Sequence, residues 1–496
     1  MIFVTYAGAG GGKTTNMIKR VKERLDRVRP NRFVAIITYT NEAAYDIRVK
    51  MGKEMIIPSN FFIGTIHAFL IRFVIRPYIK NGAMYSFISG IKDKDVIIAD
   101  YKKWAERKFP DDLNKQIGVT NAHWQKRKSD IYRALDKLEF MTYDQIISIS
   151  KKLISKAKIR NALSTKLQYI FVDEYQDSNV WQHEIFMKIH KDGKNELHVI
   201  GDPNQSIYGF TYGTSENNLQ RPKSYNDFPI CKIKDGCHNF VELNINFRSS
   251  QEIVDLANLY NNIFQQKSDM GHVTPVIAIT EPETDKIINL FNQKRIALNL
   301  QGKVFFLAKE NATLKSFDEK IVHKLINHKD IKSVEECIVQ CTGMSISNFC
   351  EVNQINRLQY RTLAVMCENH EAIDIALIKF KFLEKFRVNL KGLEENEYKQ
   401  SKPRNLIVNQ SVRALTIHKC KGLEAEAVVV IFESNNHLNK ALKKKAIMTS
   451  PTDEDLRLIY VAFTRAKKLL AIACKEKIND ENIDLLKKHG IEITYL

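Results

Sequence analysis

The sequence lacks long apolar runs. No stretch approaches the ~20 uninterrupted apolar residues that a transmembrane helix needs. Met1 leads directly into a strand-like segment, without the basic region and cleavage site of a secretory signal. We therefore predict a cytoplasmic protein with no membrane partner.

Paired cysteines are also lacking. The eight cysteines are scattered along the chain and form no Cys-x-x-Cys pair. Cys337, Cys341 and Cys350 are the closest together, but their spacing is not that of a zinc site. This distribution disfavours an iron–sulfur or zinc protein, and we expect reduced, mostly structural thiols.

Acidic residues are in the minority. The chain has 57 Asp and Glu against 76 Lys and Arg, a formal net charge of +19. Such an excess suits a polyanionic partner such as nucleic acid, although solvated surface lysines would also account for it. With 496 residues, 44% of them hydrophobic, the chain is long enough for several domains with their own cores.

Several short segments are apolar and rich in β-branched or aromatic residues, and polar stretches with helical spacing separate them. These segments are Ile2–Tyr6, Phe33–Thr38, Gln168–Val172, Leu197–Ile200, Val304–Leu307 and Ala427–Phe432. Continuous apolar strands that alternate with helices are typical of parallel sheets buried on both faces. The pattern therefore predicts an α/β fold.

Two blocks interrupt this pattern, residues 78–166 and 315–409. The first has long charged segments whose apolar residues recur three to four apart, and the second has little strand signal. We predict two largely helical insertions. The predicted domains are then a first domain of residues 1–77 and 167–240, and a second domain of residues 241–314 and 410–496.

A glycine-rich loop follows the first predicted strand and precedes an amphipathic helix; it reads AGAGGGKT. Glycines let backbone amides converge on phosphates, and a helix N-terminus adds positive potential. Lys13 can reach the β- and γ-phosphates, and the Thr14 hydroxyl can ligate Mg²⁺. A purely structural turn is the alternative. The predicted nucleotide contacts are Ala7, Gly8, Ala9, Gly10, Gly11, Gly12, Lys13, Thr14 and Thr15.

An acidic pair follows another buried strand, in the stretch YIFVDEYQD. One carboxylate, Asp173, can hold Mg²⁺, while its neighbour Glu174 can orient or deprotonate a water. Two solvated acids would be the alternative for these residues alone. Together with the phosphate loop, the pair predicts one ATPase site with ATP and Mg²⁺ as cofactors.

A series of motifs follows in a fixed order: AGAGxGKT, TxTNxAA, GTxHxF, DEYQD, GDxxQSIYGF, NFRSS, TxHxxKGLE and YVAxTRA. Their order resembles that of the UvrD/Rep-type superfamily 1 DNA helicases, from Ala7 to Ala466. The resemblance implies two RecA-like P-loop domains with ATP in the cleft between them. Each domain would carry one of the insertions.

The resemblance also implies roles in the nucleotide site. Gln205 would sense the γ-phosphate, while Arg248 and Arg465 would act as arginine fingers from the second domain. Phe247 would stack on the base, and Glu424 would bind the ribose. Ordinary surface ion pairs are the alternative for the two arginines.

For DNA, the resemblance implies contacts from four motifs. The matching residues are Tyr39, Asn41, Thr65, His67, Tyr208, Phe210 and His418. Aromatic faces accept any base by stacking, which suits single-stranded DNA of any sequence. The aromatics could instead be core residues, and the histidines could be structural.

The resemblance implies a DNA-stimulated ATPase that translocates 3′-to-5′ on single-stranded DNA and unwinds duplex. A second hypothesis is a DNA-end sensor or regulatory subunit whose ATP cycle gates a partner nuclease. The short length and the reduced second insertion resemble helicase-like partners in bacterial antiviral defence modules such as Gabija. DNA and a nuclease are thus the expected partners.

Nucleotide preference is a further expectation. Family members carry a glutamine segment that reads adenine ahead of the phosphate loop, and this sequence begins six residues before Ala7. Stacking on Phe247 alone would accept any purine. We therefore expect GTP to support turnover within about tenfold of ATP.

Overall fold

The computed structural model describes the chain in several stretches. The described residues are 1–79, 85–88, 140–191, 193–207, 227–261, 263–314, 316–317, 346–355, 363, 412–443 and 454–495. Within them, two six-stranded sheets form the centre of the fold, and helices pack against them. Two shorter pairs of strands accompany these sheets.

Strands are numbered in chain order through the described stretches. They are β1 (Ile2–Ala7), β2 (Phe33–Thr38), β3 (Phe61–Thr65), β4 (Ser86–Ile88), β5 (Phe140–Thr142), β6 (Leu167–Val172), β7 (Glu196–Gly201), β8 (Asn239–Leu243), β9 (Ile245–Asn246), β10 (Lys267–Ser268), β11 (Ile277–Ile279), β12 (Val304–Ala308), β13 (Val412–Thr416), β14 (Ala425–Phe432), β15 (Ala466–Cys474) and β16 (Glu492–Thr494).

Helices are numbered in the same way. They are α1 (Lys13–Lys22), α2 (Asn41–Glu54), α3 (Ile66–Leu70), α4 (Arg76–Tyr78), α5 (Tyr143–Ser155), α6 (Ala157–Lys166), α7 (Val180–His190), α8 (Pro229–Asp235), α9 (Gln251–Asn258), α10 (Thr284–Ala297), α11 (Ile346–Val352), α12 (Ile417–Cys420), α13 (Asn435–Lys443), α14 (Glu454–Phe463) and α15 (Asp480–Lys488). A π-helical turn, Ile71–Ile75, joins α3 to α4, and 3₁₀ turns cover Leu25–Arg27, Tyr175–Asp177 and Pro203–Gln205.

The first sheet has the strand order β3-β2-β6-β7-β1-β8, and all its pairings are parallel. Successive residues point to opposite faces of a strand. Ile36 and Phe171 therefore enter the core beneath α1 and α2, whereas Ile37 and Val172 enter the core on the other face. Burial on both faces explains why these strands read as continuous apolar runs.

The second sheet repeats this arrangement, in the order β13-β12-β14-β15-β11-β16 and again with parallel pairings. Val428 and Val430 of β14 belong to the core that includes α14, while Ala427 and Val429 face α10. The two sheets are therefore each buried on both faces by helices.

The predicted α/β class with parallel sheets is confirmed, and each of the six predicted strands is present. Within the two six-stranded sheets, the strands that the sequence pattern did not indicate are β3, β8, β11, β13, β15 and β16. The domain boundary predicted at residue 240 falls inside β8, a strand that pairs with β1, so the first sheet continues to Leu243.

Both predicted insertions lie mostly outside the described residues. In the first, the described part contains helices α5 and α6 and also the parallel pair of β4 and β5, which the prediction of a largely helical block did not include. In the second, α11 is described. The closely spaced Cys337 and Cys341 also lie outside the described stretches, whereas Cys350 lies in α11.

In the described stretches, no helix is long and apolar enough to span a membrane. The same residues contain no group of three or more His, Cys, Asp or Glu side chains arranged to hold a metal ion. Their five cysteines, Cys231, Cys237, Cys350, Cys420 and Cys474, form no disulfide.

Candidate active site

The phosphate-loop sequence lies at the carboxyl end of β1, between β7 and β8. Gly10 and Gly12 have φ values of 69° and 73°, a left-handed conformation that favours glycine. The Gly11 amide donates to the Gly8 carbonyl at 3.1 Å and closes the turn. Helix α1 starts directly after Gly12, so its N-terminal amides face the loop.

The acidic pair lies close to this loop, as the sequence predicted. Lys13 Nζ is 3.5 Å from Glu174 Oε1, because β6 and β1 are both next to β7 and their carboxyl ends share one edge of the sheet. Glu174 has a φ of 51°, which is unusual for a residue other than glycine. Strained backbone of this kind is concentrated at functional sites.

The two carboxyl groups differ in their electrostatics. Burial, followed by the charge of Glu174, raises the pKa of Asp173 to about 7. Burial would also raise the pKa of Glu174, but the charges of Lys13 and then Lys421 outweigh it, and that pKa falls to about 2. Glu174 is therefore ionised at neutral pH, whereas Asp173 is poised between its two forms.

Asp173 and Thr14 fit a magnesium ion. Mg²⁺ prefers oxygen ligands such as carboxylates and hydroxyls. Asp173 is 6% exposed, and burial together with the charge of Glu174 raises its pKa more than Lys13 and Lys50 lower it. A divalent cation beside Asp173 would stabilise the ionised carboxylate.

A polar network continues from β7. Asp202 is buried; it accepts a hydrogen bond from Gln205 Nε2 at 2.8 Å and another from the Tyr460 hydroxyl at 3.1 Å. Arg465 Nη2 donates to Gln205 Oε1 at 3.1 Å. Arg465 and Tyr460 belong to the part of the chain around the second sheet, so the structure brings one predicted arginine finger onto the predicted γ-phosphate sensor.

The other predicted arginine finger, Arg248, forms an ion pair with Glu424, the residue predicted to bind the ribose. Arg248 Nε lies 2.8 Å from Glu424 Oε2, and Arg248 Nη1 donates to the Thr464 carbonyl at 3.3 Å. Burial, followed by the nearby charge of Arg465, lowers the pKa of Arg248 to about 10, with Glu424 opposing the shift. The guanidinium remains charged at neutral pH.

Phe247 lies over the phosphate loop. Its ring atoms are 3.6–3.7 Å from the position that a Cβ would take at Gly12, and its side chain is 57% exposed. The Phe247 amide donates to the Gly10 carbonyl at 3.0 Å. An exposed aromatic ring held beside the loop is free to accept a flat ligand on its face.

Sequence reasoning did not assign two charged residues in this cleft. Lys421 Nζ donates to Asp177 Oδ2 at 2.6 Å and to the Gln205 carbonyl at 2.7 Å, and both charged side chains are buried. Burial raises the pKa of Asp177 to about 6 against the opposing charge of Lys421. Both residues lie inside quoted motifs, DEYQD and TxHxxKGLE, so the sequence did contain the signal.

Helix α14 also joins the two sheets. The Arg457 side chain donates from Nε to the Ser206 carbonyl at 2.6 Å, and Arg457 is 1% exposed. No motif singled out this arginine, because on sequence alone it is one basic residue in an apolar helix. With Tyr460, Arg465 and Lys421, it ties the second sheet to the residues that follow β6 and β7.

Most predicted DNA contacts lie at the same edge of the first sheet. Tyr39 follows β2, and its hydroxyl donates to Ser178 Oγ at 2.7 Å and lies 3.1 Å from Gln182 Oε1. Asn41 is exposed at the start of α2. Thr65 caps α3 by accepting from the Ala68 amide at 3.3 Å.

The two histidines are both half-buried. His67 stacks on Tyr143, with ring centroids 4.4 Å apart, and burial lowers its pKa to about 4, so its ring is neutral at pH 7. His418 lies at the start of α12, directly after β13 of the second sheet. Tyr208 and Phe210 lie outside the described residues.

The fold and this geometry define a class of protein, a P-loop ATPase with two RecA-like parallel sheets. A family model described as the UvrD/REP helicase N-terminal domain matches residues 2–226, and one described as the UvrD-like helicase C-terminal domain matches residues 371–477. The chain belongs to the UvrD/Rep family of ATP-dependent DNA helicases. The resemblance seen in the sequence is thereby confirmed.

Individual relatives agree with this assignment. The Gabija protein GajB of Bacillus cereus is 24% identical over 530 aligned positions, which cover 99% of this chain and 96% of that protein. The ATP-dependent DNA helicase Rep of Buchnera aphidicola is 23% identical, with 94% and 91% covered. The helicase PcrA of Staphylococcus aureus is 29% identical, with 51% and 37% covered.

Proposed function

We propose that the protein is a motor that hydrolyses ATP between its two sheets and uses each cycle to move 3′-to-5′ along single-stranded DNA. The contact of Arg465 with Gln205 carries this proposal, because it crosses from one sheet to the other beside the phosphate loop. Hydrolysis at such a joint changes what holds the two sheets together. The polarity is that of the family.

In this proposal the phosphate loop and Lys13 hold the triphosphate, and Thr14 and Asp173 hold Mg²⁺. The metal ion would neutralise charge on the phosphate oxygens. Glu174 orients the attacking water and accepts its proton. Phosphate would draw Lys13 away from Glu174, and the pKa of Glu174 would then rise from about 2 toward a value better suited to a base.

Arg248 and Arg465 would stabilise the charge that develops on the transferred phosphoryl group. Arg465 is buried and Arg248 is half-buried, and both reach the cleft from the second sheet's side. Gln205 already contacts Arg465, so it can report the presence of the γ-phosphate to that arginine. Phe247 would stack on the base, and Glu424 would accept from the ribose.

The DNA strand would lie across the carboxyl ends of β2, β3 and β13, where Tyr39, Thr65 and His418 are located. Tyr39 is hydrogen-bonded to Ser178, the residue after the DEYQD motif. A base that stacks on Tyr39 would therefore act on the loop that carries the acidic pair. This link supports a DNA-stimulated ATPase.

The second candidate, an ATP-dependent DNA-end sensor that regulates a partner nuclease in antiviral defence, also has a specific observation in its favour. The similarity to the Gabija protein GajB covers 99% of this chain and 96% of that protein over 530 aligned positions, whereas the similarity to Rep needs 603 aligned positions to cover 94% and 91%. Overall size and organisation thus agree with a Gabija-type protein.

Strand displacement by the purified protein, on duplexes with either a 3′ or a 5′ single-stranded tail, tests the first proposal. We expect ATP-dependent displacement from the 3′ tail, with Lys13→Ala as the inactive control. Displacement from the 5′ tail would overturn the polarity. DNA-stimulated ATP turnover without displacement from either tail would favour the regulatory subunit.

A further inference from the structure

A glutamine outside all the motifs packs against the phosphate loop. If Gly8 carried a Cβ, the three nearest atoms would all belong to the Gln266 amide, with Cδ at 2.5 Å and Nε2 at 2.8 Å. The same Nε2 would be 3.3 Å from a Cβ at Gly11. Gln266 is 7% exposed, and its Nε2 is buried without a hydrogen-bond partner among the described residues.

The backbone does not explain the glycine at position 8. Gly10 and Gly12 have left-handed φ values, but Gly8 does not, so alanine there would cause no backbone strain. The neighbouring side chain is the steric reason for glycine at this position. Gly8 and Gln266 therefore form a complementary pair.

Gln266 is held firmly at its backbone. Its amide donates to Asn258 Oδ1 at 3.0 Å, and Asn258 Nδ2 donates to the Gln266 carbonyl at 2.8 Å. Asn258 is the last residue of α9, whose Ile253 and Leu256 belong to the core of the second sheet. The glutamine thus reaches the phosphate loop from the second sheet's side.

Residues 245–248 and 266–268, here named the clasp, surround the same loop. Strands β9 and β10 pair within it. Asn246 Nδ2 donates to the Ala9 carbonyl at 2.9 Å, and Asn246 Oδ1 accepts from the Arg248 amide at 2.8 Å. The clasp therefore joins the phosphate loop to the backbone of a predicted arginine finger.

We propose that Gln266 is a positioning residue: its amide packs on Gly8 and Gly11 and holds the phosphate loop in the shape that binds the nucleotide. The proposal rests on the ATP site proposed above. Without the amide the loop would gain freedom, which ATP binding must then remove. The loss should appear in the KM for ATP more than in kcat.

A double-mutant cycle on ATPase kinetics tests this role. We expect Gln266→Ala to raise the KM for ATP by roughly three- to tenfold, with kcat within about twofold of the parent. Gly8→Ala should produce a similar rise, because its Cβ must expel the amide from the loop. The double variant should be no worse than the poorer single variant, since residues in direct contact are not additive.

Three controls make the result decisive. Gly52→Ala is the matched substitution, since a Cβ there meets nothing within 4 Å, and it should leave KM unchanged. Thermal unfolding of each variant shows whether the protein is still folded. A smaller folded fraction would lower the apparent kcat without changing KM, whereas a displaced phosphate loop would raise KM. Lys13→Ala tests the ATP site itself: full turnover in that variant would refute the ATP site and with it this inference.

Two outcomes would overturn the role of Gln266 while the ATP site stands. One is a parental KM in both Gln266→Ala and Gly8→Ala. The other is a double variant whose KM rises by the product of the two single effects, which would mean that the residues act independently.

Discussion

Glu174 differs from Asp173 in charge state although the two are neighbours in the chain. We expect Glu174→Gln to lower ATP turnover by ~10²–10⁴-fold, because the amide cannot accept a proton from the attacking water. ATP binding should persist, since the phosphate loop is intact. Steady-state ATPase and fluorescent-nucleotide binding measure the two properties. Turnover within about threefold of the parent would contradict the assigned role.

Arg465 and Arg248 make their contacts from the far side of the cleft. Replacing either with alanine should reduce kcat by roughly 10³-fold and change nucleotide affinity much less, because an arginine finger acts on charge that appears only in the transition state. Lys468→Ala, which removes a surface ion pair with Glu426, serves as a control. Equal losses of affinity and turnover would assign both arginines to ground-state binding.

Asp173 also makes the stability of the nucleotide-free protein depend on pH. Its pKa is about 7 in the folded state, above the ordinary value of 3.8, so the folded protein keeps a proton that the unfolded chain releases. The free energy of unfolding therefore falls as the pH rises from about 4 to 7. Asp173→Asn avoids this loss, and its advantage over the parent should grow across that window by at most ~4 kcal/mol.

Urea unfolding at several pH values, without Mg²⁺ or nucleotide, measures that advantage. The pKa of Asp177 is also raised. Asp177 is present in both the parent and the Asp173→Asn variant, so its contribution cancels when their free energies of unfolding are subtracted. An advantage that stays constant between pH 4 and 7 would mean that Asp173 ionises normally.

At the scale of elements, α7 connects the proposed DNA path to the acidic loop. Asn179 caps this helix and forms a reciprocal pair of hydrogen bonds with Gln182, the residue that also contacts Tyr39. Tyr39→Phe keeps a stacking face but loses the hydroxyl, so it should bind single-stranded DNA normally while its DNA stimulation falls several-fold. Tyr39→Ala should also weaken DNA binding by ~1–3 kcal/mol.

Fluorescence anisotropy of labelled oligonucleotides and DNA-titrated ATPase assays separate these two effects. If Tyr39→Phe responds to DNA like the parent, the hydroxyl plays no part in coupling, and the loop must receive its signal elsewhere.

The strands that the sequence revealed, such as β2 and β6, are buried on both faces, and that burial forces a continuous apolar run. The converse does not hold, since β3 and β15 are also largely buried and the pattern missed both. The pattern missed β8 and β16, which are edge strands with exposed polar residues, and β11, which has only three residues. The motifs likewise grouped Lys13 with Glu174 and Gln205 with Arg465, and the structure brings the members of each pair together. The sequence did not indicate Gln266, because its proposed role is to pack against a glycine. Such packing requires no motif that a single sequence would reveal.

At the scale of the whole molecule, the charge of +19 predicts a strong influence of salt on DNA-stimulated turnover. Lys and Arg contacts to phosphates release counterions, and for single strands log K falls against log salt with a slope of about −0.7 per phosphate contacted. We therefore expect the DNA concentration for half-maximal stimulation to rise steeply between low and high salt, while DNA-independent turnover changes little. If the DNA concentration for half-maximal stimulation does not change with salt, the excess positive charge lies away from the bound DNA.

The Arg248–Glu424 pair has a consequence for ligands. If these residues bind phosphate and ribose as proposed, nucleotide uptake is an exchange of partners, since an internal ion pair must open before either side chain can serve. The heat of nucleotide binding measured by calorimetry would then be the difference between the contacts made to the nucleotide and the Arg248–Glu424 contacts that are lost. A compound that occupies only the phosphate loop and the Phe247 face would leave that pair closed, and it could bind tightly without drawing the two sheets into the hydrolytic arrangement.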